Sequence, residues 1–325
     1  MTILPITTSP NPIMRIAAFT PYVATLLVLI YALTGDGYLA SVLGFALIYT
    51  VFVTGLNIFM GYTGQVSFGQ NAFAAIGGYS SAWLSVTMEW EPLVGLVIGC
   101  CLSVAAAILI GYPTLRLKGH YLAMGTLAIG LIVYEIAIQW EDVTGGYTGI
   151  SGIAPLGIGD YQANTDNQKL VVLAIIAGTG LLMSRFIRQS RLGRAFAAIA
   201  GSENAALALG INVSRYKLVA FVIAALYASV SGWLFVHVVG YVSPEVFGLH
   251  MVNLGFTMLY VGGLGSSLGP LIGAVIISLL PETFRAFKDY QDLFYGTTLI
   301  VILIYAPNGL ASIGSFLTEK LRSGR

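Results

Sequence analysis

The chain has 325 residues, 57% of them hydrophobic and only 9% charged, with 39 glycines and a formal net charge of +1. Soluble domains carry about 25% charged residues, so a water-soluble fold is excluded and an integral membrane protein is expected. The net charge names no partner and no nucleic-acid partner is expected; the informative quantity is where the charges lie.

In chain order, the N-terminal MTILPITTSPNPIMR is proline-rich and lacks an early basic cluster. The apolar run after Arg15 ends at Thr34-Gly35-Asp36 with no small-x-small cleavage pattern, which predicts a retained first span rather than a leader. Apolar runs of membrane-crossing length, some short or broken, fall near 16–33, 39–60, 68–86, 93–112, 120–139, 170–183, 218–239, 251–261, 270–281 and 293–308, about ten segments in all. The expected fold is an all-α polytopic membrane protein, one transmembrane domain over 1–325, with both termini cytoplasmic. Ten crossings begun inside put Arg15, Arg116, Lys118, Arg185, Arg188, Arg191, Arg194, Arg215, Lys217, Lys320, Arg322 and Arg325 in the cytoplasm. Only Lys169, Arg285 and Lys288 then lie outside, in accord with the positive-inside rule. The segments near 251–261 and 270–281 are short for an upright span, so broken or re-entrant helices are expected there. The outer loop from Trp140 to Lys169 is glycine-rich and has turn chemistry throughout.

The loop at about 184–217 holds six of the fifteen Lys and Arg residues. Inside it, Ser202 is placed to cap a short helix, Glu203 suits the positive end of its dipole, and Gly210 suits the left-handed turn that stops it. About seven helical residues, roughly 10 Å, would then present Ala205, Ala206 and Ala208, with Ile211 following. A small capped helix in a basic cytoplasmic loop is expected to be a docking element.

The third segment opens with GYTGQVSFGQNAFAAIGGY, Gly61 to Tyr79. Polar groups at membrane depth are costly unless they face protein or water, and glycine-broken helices in transporters expose backbone to the substrate. Gly64, Gln65, Ser67, Gly69, Gln70 and Asn71 are therefore candidates for a translocation path, the bland alternative being tight packing through small residues. A five-plus-five division pairs this segment with MLYVGGLGSSLGPLIG, which adds Gly262, Gly263, Gly265 and Ser266. Gly265 to Gly269 also matches the hydrolase pattern G-x-S-x-G, centred on Ser267. With no parallel sheet expected, an enzyme survives only if His237, the one deep histidine, meets that serine. Glu135 lies near a span end with Gln139 and Trp140, and is either interfacial or in the path. The adjacent Cys100 and Cys101 read as packed thiols, so neither a catalytic residue nor a metal site is expected. No G-x-x-x-x-G-K-[ST] loop occurs, so any ATP would be bound by another chain.

Three blocks together resemble the LivM-type permease subunits of branched-chain amino acid ABC importers: Gly55 to Leu84, Gly193 to Leu234 and Gly262 to Ile276. The resemblance implies that Ser202, Glu203, Ala205, Ala206, Gly210 and Ile211, on an E-x-A-A-x-x-x-G pattern, belong to an ATPase-coupling helix. Family members commonly carry a basic residue and extra acids just before that Glu, where this chain has Ala200, Gly201 and Ser202. Docking by shape plus the single Glu203 is thus expected. Implied partners are a second permease of the LivH type, two cytoplasmic ATPase subunits holding ATP and Mg, and an extracytoplasmic substrate-binding protein. No cofactor is expected on this chain. The substrate, branched-chain or other neutral amino acids, comes from the resemblance alone. Urea, an amide or another small polar solute is the alternative, and an ion-coupled secondary transporter the more distant one.

Overall fold

The computed structural model describes residues 37–158 and 161–283, together with 296, 297 and 300. The spans expected near 16–33 and 293–308, and both termini, lie outside the described residues apart from those three. The remaining eight expected segments are helical. They are α1 (Gly37–Leu56, continued by a π-turn at Asn57–Gly61), α2 (Gln70–Thr87), α3 (Pro92–Thr114), α4 (His120–Gln139), α6 (Asp166–Gln189), α9 (Val213–Val239), α10 (Leu249–Gly262) and α11 (Gly269–Thr283). Three short helices join them: α5 (Glu141–Thr144), α7 (Arg191–Gly201) and α8 (Glu203–Ala208). Among the described residues five helices are long and apolar enough to cross a membrane: α1 with its π-turn, α3, α4, α6 and α9.

The ends of these helices are set locally. Thr165 and Gln168 form a reciprocal capping box at the start of α6. Pro92 occupies the first turn of α3, where a missing N–H costs nothing. Asn212 accepts the Arg215 N–H at 3.1 Å to open α9.

Side-chain bonds fix the directions of three of the long helices. Tyr227 Oη donates to the Gly180 carbonyl at 2.7 Å and Lys169 Nζ to the Val238 carbonyl at 3.1 Å, which sets α9 against α6 in opposite directions. Ser41 donates to Asp166 at one end of α1, and Tyr62 Oη lies 3.0 Å from Ser184 Oγ beyond the other, so α1 runs parallel to α6. The end of the molecule that holds Arg188, α7, α8 and the start of α9 is called the basic end below.

The core is built by α1, α2 and α9, centred on Phe221, whose ring meets Phe59 and Phe73 edge-on at 5.3 Å each. Lipid is as apolar as leucine, so burial alone does not drive spans together, and close backbone approach must do so. Helices α2 and α9 achieve it through small residues: a Cβ on Gly232 would lie 2.0 Å from the Ala74 carbonyl oxygen. Gly77 and Gly78 of the glycine-rich block serve this same seam. By contrast, α3 and α4 leave most of their apolar surface uncovered.

The loop after α4 contains α5, a 3-10 turn at Gly146–Thr148 and short strands. Strand β1 (Ile150–Ser151) pairs antiparallel with β4 (Tyr241–Val242), and β2 (Gly157–Ile158) with β3 (Tyr161–Gln162). The first pair pins this loop to the end of α9.

Candidate functional site

Two interruptions of regular helix, far apart in sequence, meet near the basic end. The first follows α1. Its last turn widens to a π-helix at Asn57–Gly61, a form that accumulates at functional sites. Helix then persists through Thr63, residues 64–69 run without helix, and α2 starts only at Gln70. The second is the turn of residues 263–268 between α10 and α11, which form an antiparallel hairpin. Asn57 joins the two: its carboxamide oxygen accepts the Gly265 N–H and its NH2 donates to the Ser266 carbonyl, both at 2.8 Å. Gly61 must be glycine here, since a Cβ would stand 2.1 Å from Asn57 Oδ1 and 2.5 Å from the Gly265 nitrogen.

From this crossing the 62–69 segment passes between α7, α8 and α4. Arg188 sits over the Tyr62 ring at 5.6 Å, and Gly64 lies against Ala200. Gln65 Nε2 donates to Glu203 Oε1 at 3.0 Å, and the Phe68 N–H to Thr126 Oγ1 at 3.0 Å. Phe68 stacks on Phe256 with centroids 4.2 Å apart, while Gly69 packs against the Thr126 carbonyl. Asn71 donates to the Phe247 carbonyl at 2.7 Å.

Burial and partnering set this segment apart. Gln65, Ser67, Gln70 and Asn71 are all buried, yet Ser67 Oγ, both polar atoms of the Gln70 amide and Asn71 Oδ1 have no hydrogen-bond partner. A buried polar group without a partner costs about 1–3 kcal/mol, so four such atoms in five residues mark a place built to meet something polar. They flank the start of α2, whose first N–H groups receive no side-chain cap.

The short helix α8 is capped as the sequence predicts. Ser202 Oγ accepts the Ala205 N–H at 3.3 Å, and Gly210 takes φ +79°, the left-handed region. Two expectations about it are corrected. Ala206 is not presented: it is 1% exposed and packs with Ile199 and Val213, while Ala205 and Ala208 do face outward. The outward surface is instead dominated by Leu207 and Leu209, 55% and 79% exposed. Nor does Glu203 project as a docking charge. It turns inward to an ion pair with the buried Lys217, in addition to its bond with Gln65. Ile211 is half-buried and donates its N–H to the Ala206 carbonyl at 3.0 Å.

The ten residues expected in the path thus group unevenly. Gly64 and Gln65 sit against the α7–α8 region, Ser67, Gln70 and Asn71 carry the unpartnered atoms with Gly69 among them, and Gly263, Gly265 and Ser266 belong to the hairpin turn that Asn57 holds, with Gly262 closing α10. Glu135 lies on the exposed face of α4 in a shallow hollow with Gln139 and Trp140, outside this cluster. Ser267 accepts from Arg188 at 3.3 Å at the basic end. His237 lies at the other end of α9, bonded to Ser81 and the Ala154 carbonyl at 2.7 Å each. No serine–histidine pair forms at the G-x-S-x-G turn, which removes the geometry that an enzyme there requires.

Asn57 and Lys217 were not singled out from the sequence. Asn57 left a trace as one amide inside the apolar run GLNIFMG, and Lys217 as a cation in the first turns of a span, where the helix dipole disfavours it.

Residues 38–303 match the family described as "Branched-chain amino acid transport system / permease component". The chain is 32% identical over 308 residues to the high-affinity branched-chain amino acid transport system permease protein LivM of Salmonella typhimurium, covering 86% of this chain and 71% of that protein. It is 32% identical over 288 residues to LivM of Escherichia coli, covering 81% and 68%. The LivH permease of Salmonella typhimurium is 25% identical over 282 residues, covering 81% and 90%. No solved structure matches. With the family matched along most of its length, and with glycine-broken helices and a capped loop helix in place, the chain belongs to the permease component family of branched-chain amino acid transport systems.

Proposed function

We propose that this chain is the LivM-type subunit of an ATP-driven importer that moves branched-chain amino acids inward across the cytoplasmic membrane. It works with a LivH-type permease, two cytoplasmic ATPases that hold ATP and Mg, and an extracytoplasmic binding protein. The relatives' names supply the substrate class, and that both permease types are relatives supports a paired membrane core. About ten spans with both termini inside, and the basic end in the cytoplasm, complete the reading.

The observation that carries it is a division of labour within the chain. Helix α8 offers exposed leucines outside the core, the kind of apolar patch that marks a protein contact. The 62–71 segment holds buried polar atoms awaiting partners. The first suits an ATPase cleft, and the second suits a polar solute passing between broken helices. With Glu135 on the surface, no acid among the described residues is fully buried and ready to couple an ion, which favours ATP over an ion gradient.

The test is uptake of leucine, isoleucine and valine into vesicles carrying the reconstituted complex, with binding protein outside and ATP inside. ATP-dependent uptake competed by the other two amino acids and not by urea is expected. Uptake that survives without ATP on a sodium or proton gradient would overturn the reading. Charge at Leu209 (Leu209→Asp) is expected to lower ATPase association at least about tenfold.

A further inference from the structure

Glu203 was expected to face an ATPase, but its carboxylate is engaged inside the chain. One oxygen, Oε1, receives Lys217 Nζ from α9 and Gln65 Nε2 from the 62–69 segment. Three elements therefore converge on one atom: the loop helix α8, the core helix α9 and the interrupted stretch that leads to Ser67 and Gln70. Lys217 is 2% exposed and lies near the start of α9, where the dipole opposes a cation, so the Glu203 carboxylate beside it offsets the cost of burying it. Glu203 in turn is held in place at the first position of α8 by the dipole and by the neighbouring Ser202 cap. The bond to Gln65 needs no such charge balance. It ties a solvent-facing helix to a backbone segment whose unpartnered Ser67 lies two residues on, within about 7 Å of extended chain.

We propose that the Glu203–Gln65 bond, with Lys217 as its anchor, is the link by which movement of α8 is transmitted to the 62–71 segment. Glu203 and Gln65 act as positioning residues. When the partner that grips α8 shifts it, Glu203 carries Gln65 along, and the polar side chains at the start of α2 change what they face. Such a link works as one of two packed arrangements that both ends bias. This rests on the function proposed above.

The test is the number of substrate molecules taken up per ATP hydrolysed by the reconstituted complex. Gln65→Leu keeps similar volume and leaves the Glu203–Lys217 pair intact, so the protein is expected to assemble and to co-purify with its ATPases. Its transport per ATP is expected to fall about tenfold or more. Glu203→Gln keeps an oxygen that accepts from Gln65 but removes the charge that anchors it to Lys217, so it is expected to lower the same ratio, and the double variant no further than the worse single one, because both act on one link. The exchange Gln65→Glu with Glu203→Gln, which restores an amide–carboxylate pair, is expected to recover at least about half of the ratio. An unchanged ratio in Gln65→Leu overturns the proposal. So does a change confined to substrate KM, which would make Gln65 a path contact, or a loss of ATPase binding in Glu203→Gln alone, which would make Glu203 a docking charge. Absence of ATP-dependent uptake in the wild-type complex would instead refute the proposed function, so the two failures are distinguishable.

Discussion

Replacing Asn57 by leucine tests whether the two helix breaks depend on one side chain. Leucine has the same branched arrangement of side-chain heavy atoms, so no cavity forms, but the Gly265 N–H and the Ser266 carbonyl both lose a partner at 2.8 Å. An orphaned backbone group costs about 1–3 kcal/mol when fully buried. The 263–268 turn is only partly covered, so water recovers some of this, and a net loss of about 2–4 kcal/mol is expected. For a domain of this size that corresponds to a fall in Tm of about 5–10 °C, read by fluorescence-detected size exclusion after heating the detergent-purified protein. Asn57→Asp separates the two bonds: it still accepts from Gly265 but sets a carboxylate against the Ser266 carbonyl, so it is expected to be at least as harmful. Both variants melting within about 2 °C of wild type would refute the reasoning, because the crossing would then be held by packing alone.

Gly232→Leu forces a side chain into the 2.0 Å gap to the Ala74 carbonyl and is expected to abolish recovery of folded protein, whereas Gly201→Ala, with nothing within 4 Å, is expected to leave it unchanged by size exclusion. Gly210→Val places a β-branched residue at φ +79° at a cost of about 1–2 kcal/mol or more, with open space around it, so the protein should reach the membrane while substrate-stimulated ATP hydrolysis falls severalfold; Gly210→Asn should retain most of it. Ser267→Ala removes only the 3.3 Å bond from Arg188, so uptake is expected to stay within about twofold of wild type, and its abolition would reopen a chemical role for that serine.

The eight described apolar segments were legible as helices because an apolar run is a local property, and five of them are long enough to cross a membrane. So were the ends of α8, since a serine cap and a left-handed glycine act within one turn. What α8 points at was not legible. Six residues are too few for a hydrophobic period to say which alanine turns inward, and Ala206 does so because Ile199 and Val213 lie beneath it. The direction of Glu203 depends on Lys217, fourteen residues ahead, and on Gln65, 138 residues behind. The glycine-rich block had two readings, packing and path, and its glycines show close packing at both ends. Gly77 and Gly78 pack on α9, whereas Gly61 and Gly69 make room for neighbouring backbone around the polar cluster.

The late start of α2 also bears on how the protein is made. The six residues before it, 64–69, are not helical, and α2 is not among the helices apolar enough to cross a membrane by themselves. Bare backbone in lipid is costly, so such a segment has little tendency to enter the bilayer alone. It enters as passenger between α1 and α3, both strongly apolar, and its small-residue face stays unmatched until the ribosome has synthesised α9, more than a hundred residues later. Insertion and folding are therefore separate events for this span: membrane entry is decided by its neighbours in sequence, and its final depth by a helix that does not yet exist when it arrives.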